Sequence, residues 1–472
     1  MAILDLYMTP NGDDRNAGTD STATPTEIQG SVSTTSGLTT FTASSGTPFA
    51  SGISAGSWVS FYIAGELVSR FTGQVQSVTS STIIVVYNQA ATSPNNTALG
   101  TVSGLTGTVA CRVGGPWKSL AIVGTNGVMN SPATSAALTG TQYAGLRINI
   151  QAGTYANSAQ VTLPIGLAAK PICWRGYYST LTGTAGTIGY ASDIDNCANI
   201  NGTLTAPTGQ SAAPVGATRP QITSTATANL FLLSGWNWLE NLEFSGTPAG
   251  GNTVIGSTGT NAYNRLVRCR ATASATSNNA FACTNSYGTT LHATGCLINN
   301  AGIGSSSAAF LNQGYCNLLG NATRGGVAAM NVGGQGTIAS FNLIEGGGTG
   351  ISISGTNANN SSYLNNVIYN CTTGVSVAAA TTGHVVAANN LISNCTTGVV
   401  YSSSVNAWTM QLINNGFYSI SSTQLSGCWE SWQRGAITES SPGPFTAAAS
   451  HDFSLTNTAQ SRQNGFPGQF EV

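Results

Sequence analysis

Asn365–Val377 reads NNVIYNCTTGVSV and Asn389–Tyr401 reads NNLISNCTTGVVY, one phrase displaced by 24 residues. A step back, Asn342-Leu343-Ile344 and Thr349-Gly350-Ile351-Ser352-Ile353 fill the slots of Asn366-Val367-Ile368 and Thr373–Val377. One more step sets Gly326-Val327 in the slot of Gly350-Ile351. Looser relatives lie at Cys296–Asn300, at Leu412–Asn415 and at Leu242, 24 residues before Leu266. Each copy holds apolar or β-branched segments of a few residues divided by Gly, Asn, Thr and Ser. Such segments are too short for helices and suit strands joined by tight turns. A unit of this length cannot bury its own apolar face, so the copies must stack as parallel coils, one per repeat. Carried from residue 146 to 425, the period predicts roughly 11 or 12 coils and a rod on the order of 55 Å.

The composition agrees with stacking. Of 472 residues only 6% are charged, with 14 Lys+Arg against 15 Asp+Glu and a net charge of -1, while 41% are hydrophobic. An average globular domain carries about 25% charged residues. In a coil of this kind each side chain lies over its counterpart, so repeated like charges repel, whereas Ser, Thr and Asn hydrogen-bond along the ladder. Gly and Asn also tolerate the left-handed corners that sharp turns need. Disorder, which combines low hydrophobicity with high net charge, is excluded.

Several partner classes fall on the same numbers. The lysines are Lys118 and Lys170 alone, and a near-neutral chain lacks the basic field that nucleic acid requires. The most apolar runs, such as Ile83–Tyr87 and Val375–Ala380, fall far short of the ~20 residues of a membrane-spanning helix. The opening MAILDLYMTP has no basic segment followed by an apolar one, so no secretion signal is expected. Ten cysteines in a chain this long do not make a disulfide scaffold. Cys371 and Cys395, in equivalent places of consecutive coils, are expected as stacked reduced thiols. Cys173 and Cys197 could close a loop outside a reducing compartment.

Three further phrases carry a resemblance: Thr9–Thr19 (TPNGDDRNAGT), Pro116–Leu120 (PWKSL) and Ile148–Tyr155 (INIQAGTY), with Asp452–Leu455 and Gly465 near the end. They resemble the opening and closing segments of right-handed parallel β-helix proteins of the pectin-lyase-like superfamily. The resemblance implies an all-β fold, a right-handed parallel β-helix solenoid. About 95 residues separate the first two phrases, where the family needs only a few. This gap holds alternating runs at Trp58–Ile63, Leu67–Phe71, Val75–Val78 and Thr82–Tyr87. They predict a small all-β domain inserted near the N-terminus. The expected division is 1–20 as the start of the β-helix cap and 21–113 as the inserted domain. The β-helix follows over 114–425, with a C-terminal capping segment at 426–472.

The superfamily contains polysaccharide lyases and hydrolases, so catalysis has to be sought residue by residue. Lyases of this kind pair a Lys or Arg base with calcium held by carboxylates. Both lysines precede the repeated coils, and between Asp195 and Glu430 the acids are Glu240, Glu243 and Glu345 alone. A hydrolase needs two carboxylates about 5–9.5 Å apart. The candidates are Asp193, Asp195, Glu240, Glu243 and Glu345; otherwise these are outward or loop carboxylates that confer solubility. Trp236 and Trp238, beside Glu240, are candidates for stacking on a sugar, or else pack a coil end.

Other motifs carry less. Gly52-Ile53-Ser54-Ala55-Gly56 has the G-x-S-x-G spacing but precedes a strand rather than bridging strand and helix. His292, His384 and His451 stand singly, so neither a metal nor a cofactor is expected. Asp13 and Asp14 could hold calcium or cap a turn. Arg265, Arg268 and Arg270 read as a solvated strand face, or else as a contact for an acidic partner.

These observations lead to an expected non-catalytic virion structural protein. It would be a capsid decoration or spike on a phage-like particle, assembled in the host cytoplasm and displayed at the virion surface. It would be a homotrimer, joined to other virion proteins through the inserted domain, with host-surface polysaccharide as a further contact. The alternatives are a tailspike-like polysaccharide depolymerase and a carbohydrate-binding adhesin.

Overall fold

The computed structural model describes residues 2–459 apart from 21–22, 36, 88–97, 101–103, 124–142, 178–218, 226–229, 247–252, 258–262, 274–278, 284–289, 300–307, 313–314, 333–335, 354–359, 379–383, 403–409, 428–432, 435–436, 439–442, 451 and 457–458. Three parallel sheets of 12, 11 and 10 strands wind through these residues. Successive strands pass from the first sheet to the second to the third and then return to the first. The chain is a parallel β-helix.

The repeat stacks in the expected register where it is strongest. Val367 pairs with Leu391 and Ile368 with Ile392, and Thr373 with Thr397. Elsewhere the coil length drifts, and two alignments made at a constant 24 residues fail. Met330, not Val327, lies against Ile351, and Leu266 pairs with Leu239, not Leu242. The ten strands of the third sheet mark ten complete turns, fewer than the period predicts. One turn accounts for the difference. The strand Ile172–Tyr177 is followed in the first sheet by Asn237–Glu240, so that turn consumes more than two repeat lengths.

Inside the coil, alternate residues form continuous apolar stacks. One runs Ile148, Trp174, Leu239, Leu266, Ala293, Leu318, Ala339, Tyr363, Ala387, Leu412, and every member is buried. The corner between the first and second sheets is polar. Asn321, Asn342, Asn366, Asn390 and Asn415 are fully buried there, and each side-chain oxygen accepts from the backbone N–H of the preceding coil: Asn321 to Asn342 at 2.9 Å, Asn342 to Asn366 at 3.0 Å, Asn366 to Asn390 at 3.1 Å. Buried amides of this kind persist only because both ends are satisfied. The residue before each corner has a left-handed backbone, as at Asn365 (φ 57), Asn389 (φ 55) and Asn414 (φ 50), the conformation that Asn tolerates best after Gly.

Near the N-terminus the strand Ala2–Met8 joins the first sheet beside Tyr143–Gln151. Between them the chain leaves to build an antiparallel sheet spanning Ile28 to Val113. Six of its strands close into a barrel through the pairing of Trp58–Phe61 with Phe71–Gln74, and Ala98–Gly100 adds to the edge. Phe41, Phe61 and Phe71 stack in its core at 5.4 and 5.7 Å. The run Leu67–Phe71 is not a separate strand. Leu67 is exposed in the hairpin connection, and the strand begins at Phe71.

The phrases that opened and closed the insertion meet as a clasp. Thr9 N–H donates to Trp117 O, and Trp117 N–H donates to Tyr7 O. A Cβ on Gly12 would clash with the Trp117 carbonyl oxygen, and Gly18 (φ 79) sits under the Trp117 ring. Asp13 and Asp14 are committed here. Asp13 pairs with Arg15 and Arg112, and Asp14 accepts from the backbone N–H groups of Lys118 and Ser119 at 2.8 and 2.7 Å.

At the other end, Gln433–Arg434 and Ile437–Thr438 extend the first and second sheets. The hairpin of Phe445–Ala447 with Asp452–Leu455 then lies along the flank of the rod rather than over its end. Phe453 and Leu455 cover an outward column of the second sheet, Leu297, Ala322, Leu343, Val367 and Leu391. Tyr369 meets Phe453 and Phe445 edge-on at 5.1 and 6.0 Å.

Candidate functional site

The outer face of the first sheet changes character along the rod, and its N-terminal part gathers the charged and aromatic side chains. In register, one outward column reads Asp5, Arg147, Cys173, Trp238, Arg265, His292, and the next reads Tyr7, Asn149, Arg175, Glu240, Val267. A groove of about 470 Å³ runs here, lined by Arg147, Cys173, Arg175, Trp238, Glu240 and Arg265 among others.

Its charges are tied into a network. Arg147 donates from Nε and Nη2 to the two oxygens of Asp5 at 2.6 and 2.8 Å. Asn149 Nδ2 donates to Asp5 at 2.8 Å, and Asn149 Oδ1 accepts from Arg175 Nη2 at 3.0 Å. Burial, and then the charge of Arg147, lower the pKa of Arg175. Arg265 lies over the Trp238 ring at 5.7 Å, a cation–π geometry. Trp238 Nε1 is buried with no acceptor among the described residues. Burial and the nearby Glu240 push the Cys173 thiol up to about 11, so it stays protonated and is a poor nucleophile at neutral pH.

A second row of aromatics borders the groove. Trp236, held left-handed (φ 54), stacks on Tyr263 at 5.4 Å, and Tyr263 meets His292 at 4.8 Å. Burial and then Arg265 lower the pKa of His292, which favours the neutral ring. The parallel ladder thus turns residues about one coil apart in sequence into a row along the rod axis.

Among the described residues the candidate carboxylates do not converge. Asp193 and Asp195 lie outside the described residues. Glu240 lines the groove, but its nearest acid in the outward ladder, Asp5, is three ladder steps away, ~14 Å at ~4.8 Å per step. That exceeds the ~9.5 Å upper limit for a glycosidase pair. Glu243 follows the Asn241 corner into the second sheet, where it is buried and 3.7 Å from Arg270. Burial raises its pKa, opposed by Arg270 and Arg219. Glu345 lies on the second sheet four turns further on, also buried. The arginine triplet is likewise divided. Arg265 faces the groove, Arg268 occupies a corner (φ 51), and Arg270 pairs with Glu243 on another sheet.

Sequence reasoning singled out Trp236, Trp238 and Glu240, took His292 as standing singly, and passed over Asp5, Arg147, Asn149, Arg175 and Tyr263. The signal was present only as register. Once Trp238 is set against Arg265 the others follow, yet the irregular coil before Asn237 hides that register from a fixed period. Among the described residues no cluster of three His, Cys, Asp or Glu side chains could hold a metal ion.

No family model matches the chain, and no curated protein matches it. Three solved structures align with the chain at a distance. A catalytic domain of a GH87 alpha-1,3-glucanase in complex with nigerose aligns at 11% identity over 91% of this chain and 94% of its own, with a TM-score of 0.29. The enzymatically active domain of bacteriophage CBA120 tailspike protein 2 aligns at 12% identity over 77% of this chain and 50% of its own (TM-score 0.30). The A-module of the Azotobacter vinelandii mannuronan C-5 epimerase AlgE6 gives 12% over 67% and 95% (TM-score 0.26). Such low scores say nothing about chemistry.

Proposed function

We propose that this protein is a non-catalytic, polysaccharide-binding β-helix carried as a spike or decoration on the surface of a phage-like particle. The observation that carries the binding function is the outer face of the first sheet, where Trp236, Trp238, Tyr263 and His292 flank Arg147, Arg175 and Arg265. Aromatic faces stack on the apolar side of pyranose rings, and guanidinium groups take carboxylate or sulfate substituents in bidentate fashion. With Arg147 held by Asp5 and Arg175 buried against Asn149, the guanidinium of Arg265 over Trp238 is the group placed to meet an acidic substituent. Binding without cleavage is supported by the ~14 Å ladder separation of Glu240 from Asp5 and by the burial of Glu243 and Glu345.

In this reading the barrel is the attachment module. Its mount is stiff: Arg112 bridges Tyr62, Asp13 and Asn16, joining the barrel wall to the clasp. A charge-poor rod with hydrogen-bonded corners suits a particle exterior.

The test is calorimetric titration with acidic and neutral bacterial exopolysaccharide fragments, alongside a reducing-end assay. Saturable binding to the acidic set that Trp238→Ala abolishes, with no new reducing ends, supports the reading. Released reducing ends that disappear in Glu240→Gln would replace it with a depolymerase. Proteomics of purified particles tests the virion assignment, which fails if the chain is missing from them.

A further inference from the structure

Beyond the groove, the same outer face loses its charges. From the strand Thr290–Thr294 to the strand Met410–Ile413 one outward column reads His292, Asn317, Ile338, Ser362, Val386, Gln411, and the other Thr294, Leu319, Ser340, Leu364, Ala388, Ile413. None is Asp, Glu, Lys or Arg. Tyr315, Leu319, Ile338, Phe341 and Ile413 are each at least 40% exposed on this face or its corner. Tyr315, Leu319, Ile338 and Phe341 fall on two adjacent coils.

Phe341 is the most telling. It holds a left-handed backbone (φ 58) at a corner that other coils give to Gly295, Gly320, Asn365, Asn389 and Asn414. A bulky side chain in that conformation costs ~1–2 kcal/mol, and here the residue is 42% exposed, so its burial within the chain is incomplete. The second sheet offers a contrast. Its outward column is also apolar in these coils, and the chain's own C-terminal hairpin covers it.

We propose that copies of this chain associate through the outer face of the first sheet between Thr290 and Ile413, about a symmetry axis parallel to the rod. Around such an axis the copies run parallel and the two faces meet level for level, so a face rich in one sign of charge would confront like charge. A face with no formal charge over six strands is compatible with that symmetry, and the arginine-rich groove is not. Six strands at ~4.8 Å and five residues at ~3.3 Å span ~29 by ~16 Å, about 450 Å² per copy. Two such faces remove about 900 Å², just under the ~1,000 Å² that a stable interface clears and in the range of a weak association.

The test uses the full chain. Sedimentation equilibrium at micromolar concentration should give a multiple of the single-chain mass, and Ile338→Asp should weaken association at least tenfold while the far-ultraviolet spectrum is unchanged. Because Ser362 sits mid-patch and Ser376 faces outward from the third sheet, Ser362→Cys should cross-link to its own copy under mild oxidation and Ser376→Cys should not. A single-chain mass for the unmodified protein overturns the proposal. So does an unchanged mass for Ile338→Asp, or cross-linking at Ser376→Cys rather than Ser362→Cys. If Ile338→Asp instead lowers polysaccharide binding by a single-chain protein, the patch is a glycan surface and the proposal fails.

Discussion

Replacing Asn366 by Ala removes one rung from the buried amide ladder, and the structure sets the size of the effect. Asn366 Oδ1 accepts from Asn342 N at 3.0 Å and from Asn342 Nδ2 at 2.9 Å. Its Nδ2 donates to Ala339 O at 3.0 Å and to Asn390 Oδ1 at 2.9 Å. In Asn366→Ala the Asn342 N–H is left buried without its acceptor, about 1–3 kcal/mol. Three more bonds disappear whose remaining partners keep other contacts, about 0.5–1 kcal/mol each. The sum is about 4 kcal/mol. The adjacent substitution Asn365→Gly keeps the left-handed corner (φ 57) and should change stability by only a few tenths of a kcal/mol. In a solenoid the loss should concentrate in the coils beside the missing rung. Hydrogen exchange should therefore speed up about a thousandfold in the amides of Leu343–Glu345 and Val367–Tyr369, since 1.4 kcal/mol is tenfold. Exchange within threefold of the unmodified protein in those strands, or an effect no larger than that of Asn365→Gly, would refute the role given to the ladder.

Trp238→Ala should weaken acidic-glycan binding by at least tenfold in calorimetry without shifting the thermal midpoint by more than a few degrees, because the ring lies on the outer face. Asp13 is a carboxyl whose burial favours protonation, but its hydrogen bonds to Arg15 and the charge of Arg112 hold it at about 2. A depressed pKa adds stability above the unfolded value of ~3.9 and loses it as pH falls through the folded value. The barrel mount should therefore loosen between pH ~4 and ~2, read as faster exchange of the Trp117 indole N–H. Phe453→Ala should cost about 3–5 kcal/mol of hairpin docking and raise binding of an apolar dye to the uncovered Leu343–Leu391 column. Unchanged dye fluorescence would contradict the covering role of the hairpin.

Much of the architecture was legible because stacking leaves a direct mark on sequence. Val367-Ile368 over Leu391-Ile392 is the same chemistry at the same spacing, and a chain with 6% charged residues suits ladders that place like over like. The site was less legible. Trp236, Trp238 and Glu240 attracted attention by type, but Arg147 and Arg175 become their neighbours only through pairings such as Arg175 with Glu240, across a coil of irregular length. Glu240 and Glu243, three residues apart in sequence, are separated for a local reason. The left-handed turn at Asn241 (φ 57) sends them to different sheets, one outward into the groove and one buried against Arg270.

The sequence by itself determined the winding, because a short repeat rich in Asn, Gly and β-branched residues has no other way to bury its apolar side chains. The phrases Thr9–Thr19 and Pro116–Leu120 stood out in the sequence, but that Gly12 and Gly18 close on Trp117 was visible only in the fold. Tertiary structure alone decided which outward residues share a face, where the C-terminal hairpin lies, and which apolar column stays open to solvent. Those outcomes depend on the length of every intervening coil. A change of one residue in a loop re-registers all that follows while leaving local propensity untouched.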